Sequence, residues 1–136
     1  GFEVEAVYDH QYFAVQLGYA HVDGEDDDSG EPLGNLQPDM FTALLTLKAP
    51  VIDSTFPWRS VFAGRLDRAP SGQELSAYSV HDAFVSYLPQ GMGLLDGLRL
   101  DLGVTNIFDE AYEVTVPGAY EEGRSFRAGI SYTLTF

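Results

Sequence analysis

The sequence predicts an all-β protein, an antiparallel up-and-down meander of about seven strands. Three observations predict this fold class. Large apolar residues alternate with small or polar residues along most of the chain, a helical period is nearly absent, and the connections between the alternating segments are unequal, with short and long ones in turn. Because successive side chains of a strand point to opposite faces, most segments are expected to have one apolar and one polar face.

Three strands are predicted in the first part of the chain. Their apolar faces carry Phe2, Val4, Ala6 and Tyr8, then Phe13, Val15, Leu17 and Tyr19, then Phe41, Ala43, Leu45 and Leu47. The first two strands are joined by the three residues DHQ, whereas the second and third are separated by the long acidic stretch VDGEDDDSGEPLGNLQ. If each strand reverses direction, this long connection lies on the opposite side from the short turn.

Four more strands are predicted in the rest of the chain. The first covers residues 58–68, with Trp58, Phe62 and Leu66 on one face, and the next covers residues 78–88, whose faces the pattern does not assign. Residues 98–108 form the sixth strand and residues 126–136 the seventh. The seventh strand alternates strictly, with Phe126, Ala128, Ile130, Tyr132, Leu134 and Phe136 opposite Arg127, Gly129, Ser131, Thr133 and Thr135.

Composition excludes several classes of partner and site. The 136 residues include 21 Asp plus Glu against 7 Lys plus Arg, a formal net charge of -14, so the basic footprint that nucleic acid requires is missing. The absence of cysteine excludes thiolate metal sites and thiol nucleophiles. The acidic residues gather in residues 23–31 and 109–122, two connections that are expected to share one rim.

Strands with one apolar face, joined by alternately short and long connections, fit part of a transmembrane β-barrel. A soluble β-sandwich gives a similar alternation, since one face of each of its sheets is solvated. Two details favour the membrane: the polar faces are rich in Gly, Ser and Thr, and aromatic residues lie near predicted strand ends, as in interfacial girdles. These aromatic residues are Tyr8, Tyr12, Trp58, Tyr78, Tyr87, Phe108, Tyr132 and Phe136.

The C-terminal residues resemble the end of a TonB-dependent outer-membrane receptor. The resemblance rests on three runs, YSVHDAFVSYLP at 78–89, LRLDLGVTNIFDEAYE at 98–113 and GRSFRAGISYTLTF at 123–136. The chain is similar to members of that family because one strand ends in Asn-hydrophobic-Phe-Asp and a tyrosine follows soon after. A Gly-Arg pair and a terminal aromatic residue complete the similarity. The matching residues are Asn106, Phe108, Asp109, Tyr112, Gly123, Arg124 and Phe136.

The resemblance implies a location in the cell outer membrane and TonB-coupled uptake of haem or a ferric chelate. Within the family, haem and haemoglobin receptors look most similar and siderophore receptors second. Residues 1–136 are then expected to be the C-terminal part of the barrel, without the plug domain and the TonB-engaging segment. The implied partners are outer-membrane lipid, the remainder of the barrel, the plug and, through that absent segment, TonB. A porin-like barrel that does not use TonB and a soluble β-sandwich binding module remain as alternatives.

Three residues are weak candidates for ligand binding: His21 near the long acidic connection, His81 in the VHD run and Tyr120 in the last loop. No catalytic residue is predicted, because Ser79 and His81, at positions i and i+2 of a strand, are too far apart for a nucleophile and its base. We expect no covalently bound cofactor, and haem or a ferric chelate only as a transported ligand.

No metal site is predicted. The acidic run that begins at Asp23 does not match the calcium loop of an EF-hand, which needs Gly at position six and Glu at position twelve, where this chain has Asp28 and Gly34. The run is expected to be a solvated surface loop. His10 is expected to be an ordinary turn residue.

Overall fold

Seven strands form one antiparallel sheet in which each strand pairs with the next one along the chain. The structure is a computed structural model and describes residues 1–34 and 36–134. The strands are β1 (Phe2–Asp9), β2 (Phe13–His21), β3 (Met40–Ala49), β4 (Ser54–Ala63), β5 (Tyr78–Tyr87), β6 (Leu98–Thr105) and β7 (Ser125–Tyr132). The prediction of a seven-stranded meander is therefore confirmed.

Short 3-10 turns at Pro50–Ile52 and Gly93–Leu95 interrupt the connections after β3 and β5. Within the described ranges, no helix has the length and apolar character needed to cross a membrane.

The register of the sheet separates an apolar face from a polar face. One row of partners across all seven strands consists of Tyr8, Val15, Leu45, Trp58, Ala83, Val104 and Phe126. Within the strands as described, every Asp, Glu, Lys and Arg lies on the other face. These are Glu3, Glu5, Asp9, Lys48, Arg59, Asp82, Arg99, Asp101 and Arg127.

The connections alternate between the two ends of the sheet, as predicted. The segments 22–39, 64–77 and 106–124 meet at one end, which we call the long-loop rim, and the segments 10–12, 50–53 and 88–97 lie at the short-turn rim. Both acidic stretches of the sequence therefore belong to the long-loop rim, which concentrates negative charge there.

Most of the apolar face is not covered by this chain. Phe126 is 77% exposed and Ile130 is 76% exposed, although both alternate with polar residues in the manner of buried positions. The buried cluster lies instead on the polar face near the long-loop rim, where Tyr112 and Val114 of the last loop pack against Ala63, Tyr78 and Val80. Among the described residues β1 and β7 pair only with β2 and β6, so the sheet is not closed.

The predicted fourth strand is displaced by four residues. It was expected at 58–68 but covers Ser54–Ala63. Pro57 has no backbone N–H to donate to a neighbouring strand, and proline is therefore uncommon inside strands. The sequence pattern for this reason placed the start of the strand after Pro57. Leu66 lies beyond it and pairs with Leu75 in an isolated bridge within the next loop. Trp58 is therefore central in β4 and not at its end.

The last two strands end earlier than predicted. The sixth was expected to run through residue 108, but β6 ends at Thr105 because Asn106 has φ 50° and Asp109 has φ 58°, a left-handed conformation that stops a strand. Phe108 is consequently a loop residue. The seventh strand was expected to run through residue 136, whereas β7 ends at Tyr132. Thr135 and Phe136, including the predicted terminal aromatic, lie outside the described residues.

Tyr78 does not belong to an aromatic girdle on the apolar face. It pairs with Ala63 on the polar face and is 9% exposed. The last loop covers this part of the polar face through Tyr112, whose ring centroid lies 4.7 Å from that of Tyr78. Apolar side chains therefore occur on both faces of β5. For this reason the sequence pattern did not show which face of this strand is the apolar one.

Candidate functional site at the long-loop rim

Asn106 ties the two ends of the last loop together. Its side chain is almost fully buried, with 3% exposure for the residue. The Nδ2 group donates to the carbonyl oxygens of Glu110 at 2.8 Å and Glu122 at 3.3 Å, and Oδ1 accepts from the backbone N–H of Glu110 at 2.8 Å. One amide side chain thus holds the start and the end of the segment 106–124 at the same point.

Asp109 connects the Asn-Ile-Phe-Asp run to the Gly-Arg pair. Its Oδ1 atom accepts a hydrogen bond from the backbone N–H of Arg124 at 2.8 Å. A Cβ atom built on Gly123 would lie 2.9 Å from the same oxygen, closer than real Cβ contacts allow. A side chain at position 123 would therefore displace the Asp109 carboxylate from this position. We call Asn106, Asp109, Gly123 and Arg124 the terminal-loop knot.

Asp82 anchors this knot to the sheet. The residue is 1% exposed, its Oδ1 atom accepts from the backbone N–H of Asn106 at 2.8 Å, and its Oδ2 atom accepts from Arg59 Nε at 2.6 Å and Nη2 at 2.5 Å. Hydrogen bonds between ionised groups are about twice as strong as neutral ones. A buried carboxylate therefore fixes β4, β5 and the end of β6 relative to one another on the polar face.

The knot borders a depression of about 530 Å³ on the polar face. Its lining includes Arg59, Asp82, Tyr112, Glu122 and Arg127. Burial, and then the nearby Glu121 carboxylate, raise the pKa of the Tyr112 phenol, so Tyr112 lines this space as a neutral group. Exposed guanidinium groups, carboxylates and a phenol line the depression. These groups can form hydrogen bonds and ion pairs with a polar partner surface.

Asp39 forms a second anchor at the long-loop rim, beside the apolar face. Its Oδ1 atom lies 2.6 Å from His21 Nδ1, and its Oδ2 atom accepts from the Tyr19 hydroxyl at 2.9 Å. The Asp39 carbonyl accepts from the backbone N–H of Gly64 at 2.8 Å. The bonds from His21 first, and then from Tyr19, lower the pKa of the Asp39 carboxyl below its usual range.

Acid is expected to release the Asp39 anchor. Because the folded-state pKa of Asp39 is lowered, its contribution is fully present above the unfolded-state pKa of about 4 and is lost as the pH falls through the folded-state value. The difference in unfolding temperature between wild type and Asp39→Asn is expected to shrink as the pH falls from about 5 to below about 4. A thermal unfolding series in detergent measures this, and a difference that grows on acidification would contradict it.

The acidic run is organised by its own chain. Asp26 Oδ1 accepts from the backbone N–H of Ser29 at 2.8 Å, from its hydroxyl at 2.9 Å and from the backbone N–H of Asp28 at 3.1 Å, which lowers the pKa of Asp26. Arg68 of the neighbouring loop pairs with Asp23 at 3.3 Å and with Glu25. Exposed pairs of this kind contribute about 0–1 kcal/mol each, so this link between loops is weak.

The three predicted ligand residues do not converge. His21 lies at the end of β2 with Asp39, and Tyr120 is 68% exposed in the last loop, where it pairs with Glu113 in an isolated bridge. No hydrogen bond, ion pair or ring contact in the described part of the chain joins these residues to each other or to His81. Within residues 1–34 and 36–134, no group of three or more His, Asp or Glu is arranged to hold a metal ion.

His81 lies on the apolar face among aromatic rings. Its ring centroid is 5.3 Å from that of Phe108, 5.5 Å from Phe62 and 5.9 Å from Trp58, and its Nδ1 atom is 2.9 Å from Ser60 Oγ. It therefore belongs to the wall of the sheet and does not point toward the depression on the polar face.

His10 occupies a turn, as expected. It lies at the short-turn rim, where its Nδ1 atom accepts a long hydrogen bond of 3.4 Å from the backbone N–H of Tyr12.

Sequence reasoning missed the pairing of Arg59 with Asp82. The two residues are 23 positions apart and face each other across β4 and β5, so only the register of those strands brings them together. The available signal was weak, because the predicted strand 58–68 contains Arg65 and Arg68 as well as Arg59, and only Asp82 is acidic in the next predicted strand. The Asn-Ile-Phe-Asp and Gly-Arg motifs, in contrast, were found in the sequence, and the structure shows how their atoms meet.

Comparisons with known proteins agree on one family. The sequence model described as "TonB dependent receptor-like, beta-barrel" matches residues 1–107. The chain is 31% identical to the hemin receptor of Yersinia enterocolitica over 135 residues, covering 97% of this chain and 19% of the receptor. It is 29% identical to TonB-dependent heme receptor A of Haemophilus influenzae (strain 86-028NP), with 82% of this chain and 17% of that protein covered. The chain thus spans about a fifth of the length of these relatives.

Solved structures match the fold. The copper transporter OprC superposes with a TM-score of 0.83 at 16% identity, covering 96% of this chain and 22% of the transporter chain. The FrpB iron transporter from Neisseria meningitidis (F5-1 variant) superposes with a TM-score of 0.77 at 20% identity, covering 96% of this chain and 23% of the other. At 16% and 20% sequence identity, these superpositions establish the architecture of the sheet and nothing about its function.

Proposed function

Because the chain belongs to the TonB-dependent receptor family, we propose that it is the C-terminal part of the barrel of a receptor that takes up haem or a ferric chelate by TonB-coupled transport. The proposal is carried by the similarity to a hemin receptor across 97% of this chain at 31% identity. A receptor of this kind binds and moves its ligand without a covalent step, so the chain needs no catalytic residue.

The chain is part of a transmembrane β-barrel of the outer membrane. Its apolar face therefore meets lipid and its polar face meets the barrel lumen. Seven strands leave two open edges, and each unpaired backbone group in lipid costs several kcal/mol. The remaining strands of the barrel are accordingly the proposed partners of β1 and β7.

The plug is the proposed partner of the polar face. Arg59 and Arg127 both keep more than half of their side chains exposed there, beside the depression at the terminal-loop knot. A folded domain inside the lumen with acidic groups at this height would pair with both guanidinium groups. TonB would act on a segment outside these residues, and this chain would supply the fixed wall against which the plug moves.

Of the three candidate ligand residues, Tyr120 is the best placed to meet a ligand outside the cell. It is largely exposed and lies in a loop that the terminal-loop knot holds in position. A tyrosine phenolate is a known axial ligand of haem iron. His21 and His81 both lie on the apolar face. His21 ranks second because it is at the long-loop end of β2, where a carboxylate at Nδ1 leaves Nε2 available for a metal, and His81 ranks last because it lies three residues inside β5.

Removal of the Tyr120 hydroxyl tests the ligand proposal. In the full-length receptor, Tyr120→Phe is expected to weaken haem binding about tenfold, equivalent to about 1.4 kcal/mol, and to alter the haem absorbance spectrum. Tyr12→Phe, the same substitution at an equally accessible phenol on the short-turn rim, is the matched control and should bind as wild type does. If Tyr120→Phe also binds as wild type does, Tyr120 is not a ligand.

Cellular uptake separates the receptor from the two alternative functions. Uptake of haem through a TonB-coupled receptor stops when TonB is inactivated, whereas uptake through a porin-like barrel continues. The family match already favours the receptor over a porin-like barrel and a soluble β-sandwich. Uptake that persists at the wild-type rate in cells without TonB would contradict the proposal.

A further inference from the structure

A small polar group interrupts the apolar face between β4 and β5. Trp58 Nε1 donates to Ser60 Oγ at 2.9 Å, and Ser60 Oγ lies 2.9 Å from His81 Nδ1. We call Trp58, Ser60 and His81 the outward polar chain. It stands out because the strands carry no Asp, Glu, Lys or Arg on this face in the described part of the molecule. Polar groups that face hydrocarbon are costly unless they are hydrogen-bonded.

Counting hydrogens shows that the outward polar chain has one donor left over. With a neutral imidazole, its donors are the indole N–H, the serine O–H and one ring N–H. Two internal hydrogen bonds use two of these three donors. If Ser60 donates to Nδ1, the free donor is His81 Nε2–H, and if Nδ1 donates to Ser60, the free donor is the serine hydroxyl. Ser60 is only 8% exposed, so the unused donor that a lipid can reach is the Nε2–H of the half-buried His81, with Ser60 donating to Nδ1.

Aromatic rings surround this donor. The rings of Trp58, Phe62 and Phe108 stand within 6 Å of the imidazole, centroid to centroid. Two of the rings come from β4 and the third comes from the last loop, so together they frame the imidazole on the outer wall. Trp58 and Phe62 are each about two-fifths exposed, and Phe108 is 66% exposed. They offer an apolar surface on which a hydrocarbon chain can pack.

The donor lies in the half of the sheet that is nearer the long-loop rim. His81 is three residues below Tyr78, where β5 begins at the long-loop rim, which is roughly 10 Å along the strand. Aromatic residues at membrane interfaces occupy the headgroup level. The first polar atoms above the acyl chains are the carbonyl oxygens of their ester or amide linkages. The long-loop rim is acidic, which disfavours an anionic partner at this site.

We propose that the outward polar chain binds the acyl carbonyl oxygen of an outer-leaflet lipid, with the attached hydrocarbon chain packed on the rings of Trp58, Phe62 and Phe108. The carbonyl accepts the one donor that the protein leaves unpaired, and a neutral acceptor matches a site without a cationic side chain from Lys or Arg on the described face. The site lies on the outer wall and is independent of the ligand that crosses the lumen.

Ester and ether lipids test the carbonyl directly. The probes are a diester phosphatidylcholine and its diether analogue, which share the phosphate headgroup and chain length but differ in the two carbonyl groups. Native mass spectrometry of the full-length receptor, released from detergent with each lipid, measures the fraction that retains a bound lipid. Wild type is expected to retain the diester lipid about fivefold better, since a hydrogen bond of this kind contributes about 1 kcal/mol.

Two substitutions test whether His81 causes the preference for the diester lipid. His81→Phe keeps an aromatic ring but removes both ring nitrogens, and it is expected to abolish the preference for the ester lipid. His10→Phe, at the short-turn rim, is the matched control and should keep it. Equal retention of both lipids by wild type, or an unchanged preference in His81→Phe, would overturn the proposal. So would a wild-type preference for the phosphate group itself, seen as loss of binding to a phosphate-free diester glycolipid.

Discussion

Asn106→Ala is expected to release the last loop at both of its ends. The substitution removes three side-chain hydrogen bonds, each with a typical net value of about 1 kcal/mol. Both residues have a Cβ atom, but alanine tolerates the left-handed φ of 50° less well than asparagine does. We expect the segment 106–124 to lose about 3–4 kcal/mol of local stability. Amide hydrogen exchange in that segment of the full-length receptor should accelerate at least about 100-fold.

Asn106→Gly separates the two causes. Glycine tolerates φ 50° and removes only the side-chain hydrogen bonds, so it should restore about 1 kcal/mol relative to alanine. Haem binding measured on the same variants reports whether a fixed loop is needed to present Tyr120. Exchange at the wild-type rate in Asn106→Ala would show that the terminal-loop knot does not hold the loop.

Gly97→Ala is expected to disrupt the pairing of β6 with β7 at the short-turn rim. Gly97 has φ 93°, and a Cβ atom on it would lie 2.3 Å from the carbonyl oxygen of Thr133, where a clash can be relieved only by moving backbone. The same residue accepts a hydrogen bond from the backbone N–H of Thr133 at 2.9 Å. Strain and lost pairing together are expected to cost about 2–4 kcal/mol.

Gly91→Ala is the matched control for this prediction. Gly91 lies in the same connection with φ 69°, but a Cβ atom on it would have no neighbour within 4 Å. Both variants therefore include the left-handed strain, and only Gly97→Ala includes the clash. Heat-modifiable gel mobility of the assembled receptor and its unfolding temperature measure the difference. Equal effects of the two substitutions would show that contact with Thr133 does not matter.

The predicted strand faces agree with the structure where apolar residues recur at every second position. In β1, β2 and β3 the alternation gave the apolar face correctly, because the pleat of a strand has a period of two residues. The displaced fourth strand kept its faces for the same reason. Trp58 and Phe62 are four residues apart and therefore share a face wherever the strand begins and ends, and the register places both on the apolar face.

The faces of β5 could not be assigned from the sequence, because Tyr78 and Val80 are apolar residues on the polar face. They are buried there by Tyr112 and Val114 of the last loop, which lies more than 30 residues further along the chain. The register of β5 with β4 places His81 on the opposite, apolar face, so this candidate ligand residue of the VHD run does not line the lumen.

The sequence by itself determined the faces of every strand except β5, the rim that carries the acidic loops and the motif residues near the C-terminus, since these depend on periodicity and on local residue order. Only the tertiary structure decided that Asp82 joins Arg59 to Asn106, that Gly123 makes room for the Asp109 carboxylate and that His81 belongs to an outward polar chain. Each of these contacts joins residues at least 14 positions apart. Strand register and loop packing set such contacts, and the alternation within a single strand carries no information about either.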